Sequence, residues 1–195
     1  MSLYKGEKLK GESSLYGLEK KLGEGAVGHV WAARAENGNA AVAIKIVNPR
    51  PDLLERSMVK NIQARFRREA KHGRNLSNDC IVQMLDHGEH RGQPFLVMEL
   101  ARQSAASHLR ARGPYRMDQA QAIVRRCAEG LAYLHGEKCV HRDVKPANIL
   151  DFDRGYVLGD LGIVKWSDLN PAFTSAATIT RASIQLGSWF YMAPE

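Results

Sequence analysis

An aspartate, a lysine and an asparagine stand close together in residues 141–150, which read His-Arg-Asp-Val-Lys-Pro-Ala-Asn-Ile-Leu. Asp143 has the chemistry to accept a proton from a hydroxyl, Lys145 to neutralise a phosphate in transit, and Asn148 to bind Mg²⁺. Transfer of a phosphoryl group from ATP to a hydroxyl needs this combination. A short run can arise by chance, so the prediction depends on whether other elements can position a nucleotide and a metal ion.

A glycine pattern near the start of the chain is suited to phosphate binding. Gly23, Gly25 and Gly28 form, with Val30, the pattern G-x-G-x-x-G-x-V. The same spacing occurs in dinucleotide-binding folds, but there the glycines must lead into a helix. Here apolar and aromatic runs flank the pattern on both sides and favour strands. The sequence therefore predicts a strand–turn–strand flap whose backbone amides cover phosphates.

Lys45 is the one charge in the apolar run 40–47, which is predicted to be a strand. Most such lysines extend to water, but this one can instead grip nucleotide phosphates and pair with a carboxylate. A helix is predicted over residues 53–74, and Glu69 falls near its apolar stripe, three residues after Phe66. A carboxylate beside a buried stripe needs a positive partner. We therefore favour a Lys45–Glu69 pair over a solvated glutamate.

A second carboxylate follows a short predicted strand at residues 156–158. Asp160 opens the sequence Asp-Leu-Gly and is suited to chelating Mg²⁺ across nucleotide phosphates. Upstream, apolar residues at helical spacing predict a helix over 118–135, with Asp118 as its N-cap. The chain ends in Ala-Pro-Glu at residues 193–195.

These patterns, in this order, resemble the eukaryotic-type (Hanks-type) serine/threonine protein kinase family from about residue 16 to residue 195. The resemblance implies an α+β, protein-kinase-like bilobal fold. Residues 1–15 would be a flexible leader. Residues 16–101 would form a small lobe with an antiparallel five-stranded sheet, helix C and a hinge at its end. Residues 102–195 would form part of a mostly helical large lobe, with the catalytic loop and the activation segment.

The resemblance also implies the role of each site residue, with ATP and Mg²⁺ as cofactors. The catalytic set would be Asp143, Lys145, Asn148, Lys45 and Glu69, and the metal ligands would be Asn148 and Asp160. Met98 resembles the gatekeeper behind the adenine pocket, and Glu99 begins the hinge. The nucleotide contacts would be Gly23, Gly25, Gly28, Val30, Ala43, Lys45, Met98, Glu99, Ala101, Leu150 and Asp160.

Substrate class and regulation follow from the same resemblance. Lys145 is typical of kinases that act on serine and threonine of proteins. Arg142 stands where the family often uses an arginine to grip a phosphate on the activation segment. We therefore expect autophosphorylation at Thr178, Thr180 or Ser183.

Two departures from the family pattern keep other functions open. The family continues beyond Ala-Pro-Glu, so we expect a truncated chain, or a large lobe completed by missing C-terminal helices or by a partner. Gly73 replaces a usual apolar residue of helix C and is expected to leave a gap. Both departures favour a catalytically weak, partner-binding scaffold as the first alternative. A small-molecule kinase on the same fold is the second alternative, but such enzymes generally lack the Lys145-Pro146 pair.

The composition is compatible with this prediction. The 195 residues carry 28 Lys and Arg against 21 Asp and Glu, a formal net charge of +7. Basic clusters could bind nucleic-acid phosphates, but an acidic partner or a solvated helix face explains them equally well, and no nucleic-acid-binding fold accompanies them. No apolar run reaches the roughly 18 residues of a membrane span. The three cysteines form no C-x-x-C pair, which favours free thiols in the cytoplasm.

Overall fold

A computed structural model shows that the chain divides into two compact units. The first comprises residues 1–77 and 83–100, and the second comprises residues 78–82 and 101–195. The boundary predicted from the sequence falls after residue 101, one residue later. The structure describes residues 3–25, 28–48, 60, 63–64, 66–67, 70, 73–161, 165–166 and 191.

The first unit contains a six-stranded, fully antiparallel sheet. Its strands lie in the order β1-β2-β3-β4-β6-β5, so the last two strands along the chain are exchanged at one edge. The strands are β1 (Lys8–Lys10), β2 (Leu15–Gly25), β3 (Gly28–Ala35), β4 (Ala41–Val47), β5 (Met84–His90) and β6 (Gln93–Glu99).

One face of this sheet forms an apolar core. Side chains alternate between the two faces of a strand, so Val42, Ile44 and Ile46 of β4 enter this core while Lys45 points to the opposite face. Phe95 and Leu9 are fully buried in the same cluster. The apolar run around Lys45 therefore fixes the direction in which its ammonium group leaves the sheet.

The predicted flexible leader and the five-stranded sheet are wrong. Residues 8–10 form an additional strand, β1, which pairs with β2 and buries Leu9 completely. Glu7 is also buried, with 4% of its surface exposed. The sequence Lys-Leu-Lys offers a single apolar residue between two charges, and such a short alternation has no period that sequence reasoning can detect.

Helix C, the helix predicted over residues 53–74, is described at residues 60, 63–64, 66–67, 70 and 73, all of which have helical backbone. Phe66 and Ala70 are buried on it, and Glu69 lies outside the described residues. The gap expected at Gly73 is not present, because the buried Met84 thioether occupies the space that a Cβ at residue 73 would take. A long side chain on β5 thus compensates for the missing side chain on helix C.

The described part of the second unit contains two helices, a short 3₁₀ turn at Pro146–Asn148 and two small sheets. Strands β10, β9 and β7 form one sheet in that order, and β11 pairs with β8. The bounds are β7 (Gln103–Ser104), α1 (Ala105–Arg112), α2 (Met117–Gly136), β8 (Cys139–Val140), β9 (Ile149–Phe152), β10 (Gly155–Leu158) and β11 (Lys165–Trp166).

Helix α2 extends the predicted helix by one residue at each end, but its predicted N-cap is wrong. Arg116 is the N-cap residue, and its backbone N–H donates to the Gln119 side chain at 3.3 Å. Asp118 instead lies in the first turn, where a negative charge favours the helix dipole. Val124, one of the apolar residues at helical spacing from which this helix was predicted, is 67% exposed. Among the residues that the structure describes, no helix has the length and apolar character needed to cross a bilayer.

Candidate active site

The glycine pattern forms a strand–turn–strand hairpin in the first unit. Gly23 faces Val30 across β2 and β3, and Gly25 faces Gly28 next to the tip. The tip residues 26–27 lie outside the described residues. A Cβ at Gly28 would overlap the backbone carbonyl oxygen of Ile46, so only glycine allows β3 to approach β4 this closely. The hairpin has the strand–turn–strand form expected of a phosphate flap and does not lead into a helix.

The strand that carries Lys45 aligns the other predicted nucleotide contacts of this unit. Lys45 faces Val30 on one neighbouring strand, and Ala43 faces Met98 on the other. Glu99 ends β6, and its carboxylate accepts a hydrogen bond from the backbone N–H of Gln83 at 3.1 Å. This contact fixes the residue at which the predicted hinge begins. The proposed partner of Lys45 lies outside the described residues, so their pairing stays a prediction.

In the second unit, the predicted catalytic residues converge on one carboxylate. Lys145 Nζ lies 2.7 Å from Asp143 Oδ2. Asn148 Nδ2 donates to the same oxygen at 2.9 Å and to the backbone carbonyl of Asp143 at 2.8 Å. The 3₁₀ turn places Asn148 here, since its backbone N–H donates to the carbonyl of Lys145 at 2.8 Å. The short spacing seen in the sequence thus brings the side chains of Lys145 and Asn148 into direct contact with that of Asp143.

These contacts leave each side chain with a distinct chemical capacity. Both donated hydrogen bonds of Asn148 use its nitrogen, so its amide oxygen is the atom suited to a metal ion. Lys145 places a positive charge 2.7 Å from the Asp143 carboxylate, where a transferring phosphate would also carry negative charge. The arrangement suits a base that orients a hydroxyl beside a cation-binding oxygen.

His141 connects the catalytic loop to the strand end that precedes Asp160. Its Nδ1 accepts from the backbone N–H of Asp143 at 3.3 Å, so the proton of a neutral ring must lie on Nε2. Nε2 can then donate to the carbonyl of Gly159 at 2.9 Å. Burial lowers the pKa of His141, which is 1% exposed. The neutral imidazole therefore joins the two segments by accepting one hydrogen bond at Nδ1 and donating one from Nε2.

Asp160 is placed by the β9–β10 hairpin that follows the catalytic loop. Leu150 and Val157 face each other across this hairpin, and the backbone N–H of Gly159 donates to the carbonyl of Asn148 at 2.7 Å. Asp160 itself has a left-handed backbone, with φ of 56°. Gly159, which directly precedes Asp160, thus links the two predicted metal ligands, because its backbone is hydrogen-bonded to that of Asn148.

Arg102 is a positioning residue that the sequence analysis missed. Its guanidinium donates to Asp151 at 2.6 Å and to the carbonyl of Phe152 at 2.6 Å, and it also contacts Asp153. Its backbone N–H donates to the carbonyl of Asp151 at 3.0 Å. These contacts hold β9, which begins directly after Asn148. The pairing of a single arginine with residues some fifty positions later leaves no local signal.

Several predicted features lie outside the described residues. These are Glu69, the phosphorylation candidates Thr178, Thr180 and Ser183, and the Ala-Pro-Glu sequence at 193–195. Ala101, the remaining predicted hinge contact, is described and half-buried at the start of the second unit.

The contacts of Lys145 and Asn148 with Asp143, on a chain with an α+β fold, are compatible with the phosphotransferase class. The sequence profile of the protein kinase domain family matches residues 16–195. The chain therefore belongs to the protein kinase family, and the predicted membership is confirmed.

Proteins with similar sequences are named as serine/threonine-protein kinases. The probable serine/threonine-protein kinase pknA2 of Bifidobacterium longum is 35% identical over 182 residues, covering 92% of this chain and 23% of that protein. The serine/threonine-protein kinase PknL of Mycobacterium tuberculosis is 34% identical over 184 residues, covering 93% of this chain and 43% of that protein. The chain thus spans less than half the length of these relatives.

A solved structure shows the same fold. The kinase domain of PknI from M. tuberculosis aligns with a TM-score of 0.66 at 27% identity, covering 83% of this chain and 62% of that domain. The predicted kinase-like α+β fold is confirmed at this level, with the strand count corrected as above.

Proposed function

We propose that this chain transfers the γ-phosphoryl group of Mg-ATP to serine or threonine hydroxyls of proteins. The observation that carries the proposal is the contact of Lys145 and Asn148 with the same carboxylate oxygen of Asp143. Asp143 would orient the acceptor hydroxyl and take its proton. Lys145 would neutralise charge on the transferring group, so catalysis would rest on positioning and electrostatics.

The oxygen ligands fit a magnesium ion. Asn148 and Asp160 would hold it, and when bound it would offset negative charge on the nucleotide phosphates. The first unit would contribute Lys45 and the glycine hairpin to phosphate binding, with Met98 and Glu99 at the adenine. The second unit would contribute Ala101 and Leu150.

Autophosphorylation on the activation segment is part of this proposal. Arg142 lies directly before Asp143, is exposed, and has a left-handed backbone with φ of 67°. A phosphate on Thr178, Thr180 or Ser183 would be its partner. A cytoplasmic location stays a prediction of the sequence.

The rival prediction of a scaffold that transfers nothing loses one of its two reasons. It depended partly on a gap at Gly73, and Met84 fills that space. No contact among the described residues gives a specific reason to favour it over phosphoryl transfer.

The test is incorporation of labelled γ-phosphate from Mg-ATP into the chain and into a generic protein acceptor. We expect Asp143→Asn to reduce transfer about 10²- to 10⁴-fold, the usual contribution of a positioned general base. Removal of Mg²⁺ with a chelator should abolish transfer. Asp118→Asn is the matched control, because it makes the same change at an exposed carboxylate of the same unit. Absence of transfer by folded parent protein, or equal transfer by both variants, would contradict the proposal.

A further inference from the structure

Residues 3–14, here called the N-terminal arm, are fastened to the first unit by a buried carboxylate. Glu7 accepts from His90 Nε2 at 2.8 Å and from Arg91 at 2.9 Å, and its other oxygen accepts from the backbone N–H of Tyr4. Burial opposes ionisation, but the His90 hydrogen bond and the Arg91 charge outweigh it and lower the pKa of Glu7. The start of the arm is thus held by charge and is not a loose tail.

The other end of the arm is fixed by a second buried carboxylate. Asp86, 1% exposed on β5, accepts from the backbone N–H of Ser13 at 2.9 Å and from the Tyr16 hydroxyl at 2.8 Å. Gly11 bridges to Gly88 of the same strand, and a Cβ at Gly11 would overlap the Asp86 carboxylate. The arm therefore lies directly against β5, and Gly11 allows this close approach because it has no side chain.

Between these anchors, Glu12 reaches the end of helix C. Its carboxylate accepts from Arg74 at 2.9 Å and lies 3.4 Å from His87 Nδ1. Its backbone N–H donates to the carbonyl of His87 at 3.0 Å, so the side chain starts from a fixed point. Arg74 directly follows Gly73, the last described helical residue of helix C. One ion pair therefore joins the arm to the terminus of this helix.

Helix C has a second ion pair, to β5. Arg67 contacts Glu89 at 2.7 Å, and the buried residues Phe66 and Ala70 lie beside it in sequence. The helix is thus tied near its middle to the strand and at its end to the arm. A change at Glu12 would remove the ion pair at the end of the helix, while the Arg67–Glu89 pair and the packing of Gly73 against Met84 would stay.

We propose that Glu12 is a positioning residue for phosphoryl transfer. By holding Arg74 it restrains the end of helix C, the helix predicted from the sequence to carry the partner of Lys45. This inference rests on the proposed function for its kinetic consequence. Its structural part, that the arm restrains helix C, stands on the contacts of Glu12 alone.

Because the Glu12–Arg74 ion pair is exposed, a positioning role can be distinguished from a contribution to global stability. The side chains of Arg74 and Glu12 are 36% and 57% exposed, and ion pairs of this kind contribute little to global stability. Loss of the pair should therefore leave the urea midpoint of the chain unchanged. Any effect on transfer or on helix C would then come from placement.

The experiment compares Glu12→Gln with Glu36→Gln in the full chain. Glu36 forms a solvent-exposed ion pair with Lys8 of the same arm, at 2.7 Å, and this pair does not involve helix C. We expect Glu12→Gln to raise the KM for ATP by about fivefold, the upper range for one exposed ion pair, with an unchanged urea midpoint. Amide hydrogen exchange in residues 60–74 should become faster. Glu36→Gln should behave as the parent does in all three measurements.

A charge exchange completes the test. Glu12→Arg combined with Arg74→Glu should restore KM and exchange towards the parent, whereas either change alone should not. Equal behaviour of Glu12→Gln and Glu36→Gln in both KM and exchange would overturn the inference. If the parent transfers no phosphate, the proposed function fails, while the exchange comparison still decides whether Glu12 restrains helix C.

Discussion

At the scale of single residues, a substitution can separate the hydrogen bond that Asn148 donates to Asp143 from its proposed role as a metal ligand. Asn148→Asp keeps an oxygen for Mg²⁺ but loses the donor to Asp143 and sets two carboxylates side by side. Because a hydrogen bond to a charged group contributes about 1.5–3 kcal/mol, we expect kcat to fall roughly 10- to 100-fold. Excess Mg²⁺ should not restore it. Initial rates of phosphate transfer at several Mg²⁺ concentrations measure this.

The matched control for this prediction is Asn78→Asp in the same unit. The Asn78 side chain uses its oxygen to accept from the backbone N–H of Cys80 at 2.8 Å, and aspartate retains that acceptor. The control should keep parental kcat. Full recovery of Asn148→Asp at high Mg²⁺ would show that Asn148 acts on the metal ion alone.

His141 is expected to make the free energy of unfolding rise with pH below about 6.5. Burial lowers its pKa below the ordinary value of 6.5. Between the lowered pKa and 6.5, the unfolded chain binds a proton that the folded chain does not, so the free energy of unfolding rises with pH there. The contribution is complete above 6.5 and is lost as the pH falls below it. Urea denaturation of parent and variant from about pH 5.5 to 7.5 measures this slope.

We expect His141→Gln to flatten this slope, whatever its effect on absolute stability. His135→Gln, which removes an exposed histidine at the end of α2, is the matched control. An identical slope in parent and His141→Gln would contradict the assignment of the pH dependence to His141.

At the scale of elements, helix C and β5 fit through a small residue facing a long one. Gly73→Ala would place a methyl group where the Met84 thioether lies. Overpacking of this kind costs about 1–3 kcal/mol, while the gain in helix propensity is about 1 kcal/mol. We expect a net loss of up to about 2 kcal/mol in the free energy of unfolding, measured by urea denaturation.

A second substitution tests the cause of that loss. Met84→Val shortens the side chain and should be destabilising alone, but less so in the Gly73→Ala background. The two effects should therefore differ from their sum by at least about 0.5 kcal/mol, as for residues in contact. Additive effects would show that Gly73 and Met84 do not share space.

The elements that the sequence predicted well are those whose signal is local. The contacts among Asp143, Lys145 and Asn148 follow from their spacing within one short loop and turn. The alternation in β4 likewise directs Lys45 away from the apolar face without reference to distant residues. Such features depend on backbone geometry over a few positions, which sequence reasoning can use.

The features that the sequence did not predict depend on distant partners. Strand β1 is stable because Leu9 enters a core supplied by other strands, although its own sequence is mostly charged. The Gly73–Met84 fit and the Arg102 contacts with β9 are also tertiary. Arg116 displaces Asp118 as N-cap because Gln119 is placed to accept from the Arg116 backbone. A cap predicted from residue type alone overlooks this competition.

At the scale of the whole molecule, the kinase-like fold carries a clear excess of positive charge. With 28 Lys and Arg against 21 Asp and Glu, the chain has a formal net charge of +7. Such a field raises the association rate of acidic partners and is screened by salt. The charge therefore predicts a preference among protein acceptors that does not depend on the chemistry at Asp143.

We expect an acidic acceptor peptide to have a lower KM than a neutral peptide with the same serine or threonine. Because the screening length is about 10 Å at 0.1 M salt, raising NaCl from about 0.05 to 0.3 M should increase the KM of the acidic peptide several-fold. The KM of the neutral peptide should change little, and kcat should change little for both, because salt acts on encounter and not on the transfer step. Equal salt dependence of the two peptides would instead place the effect on ATP binding, which both reactions share.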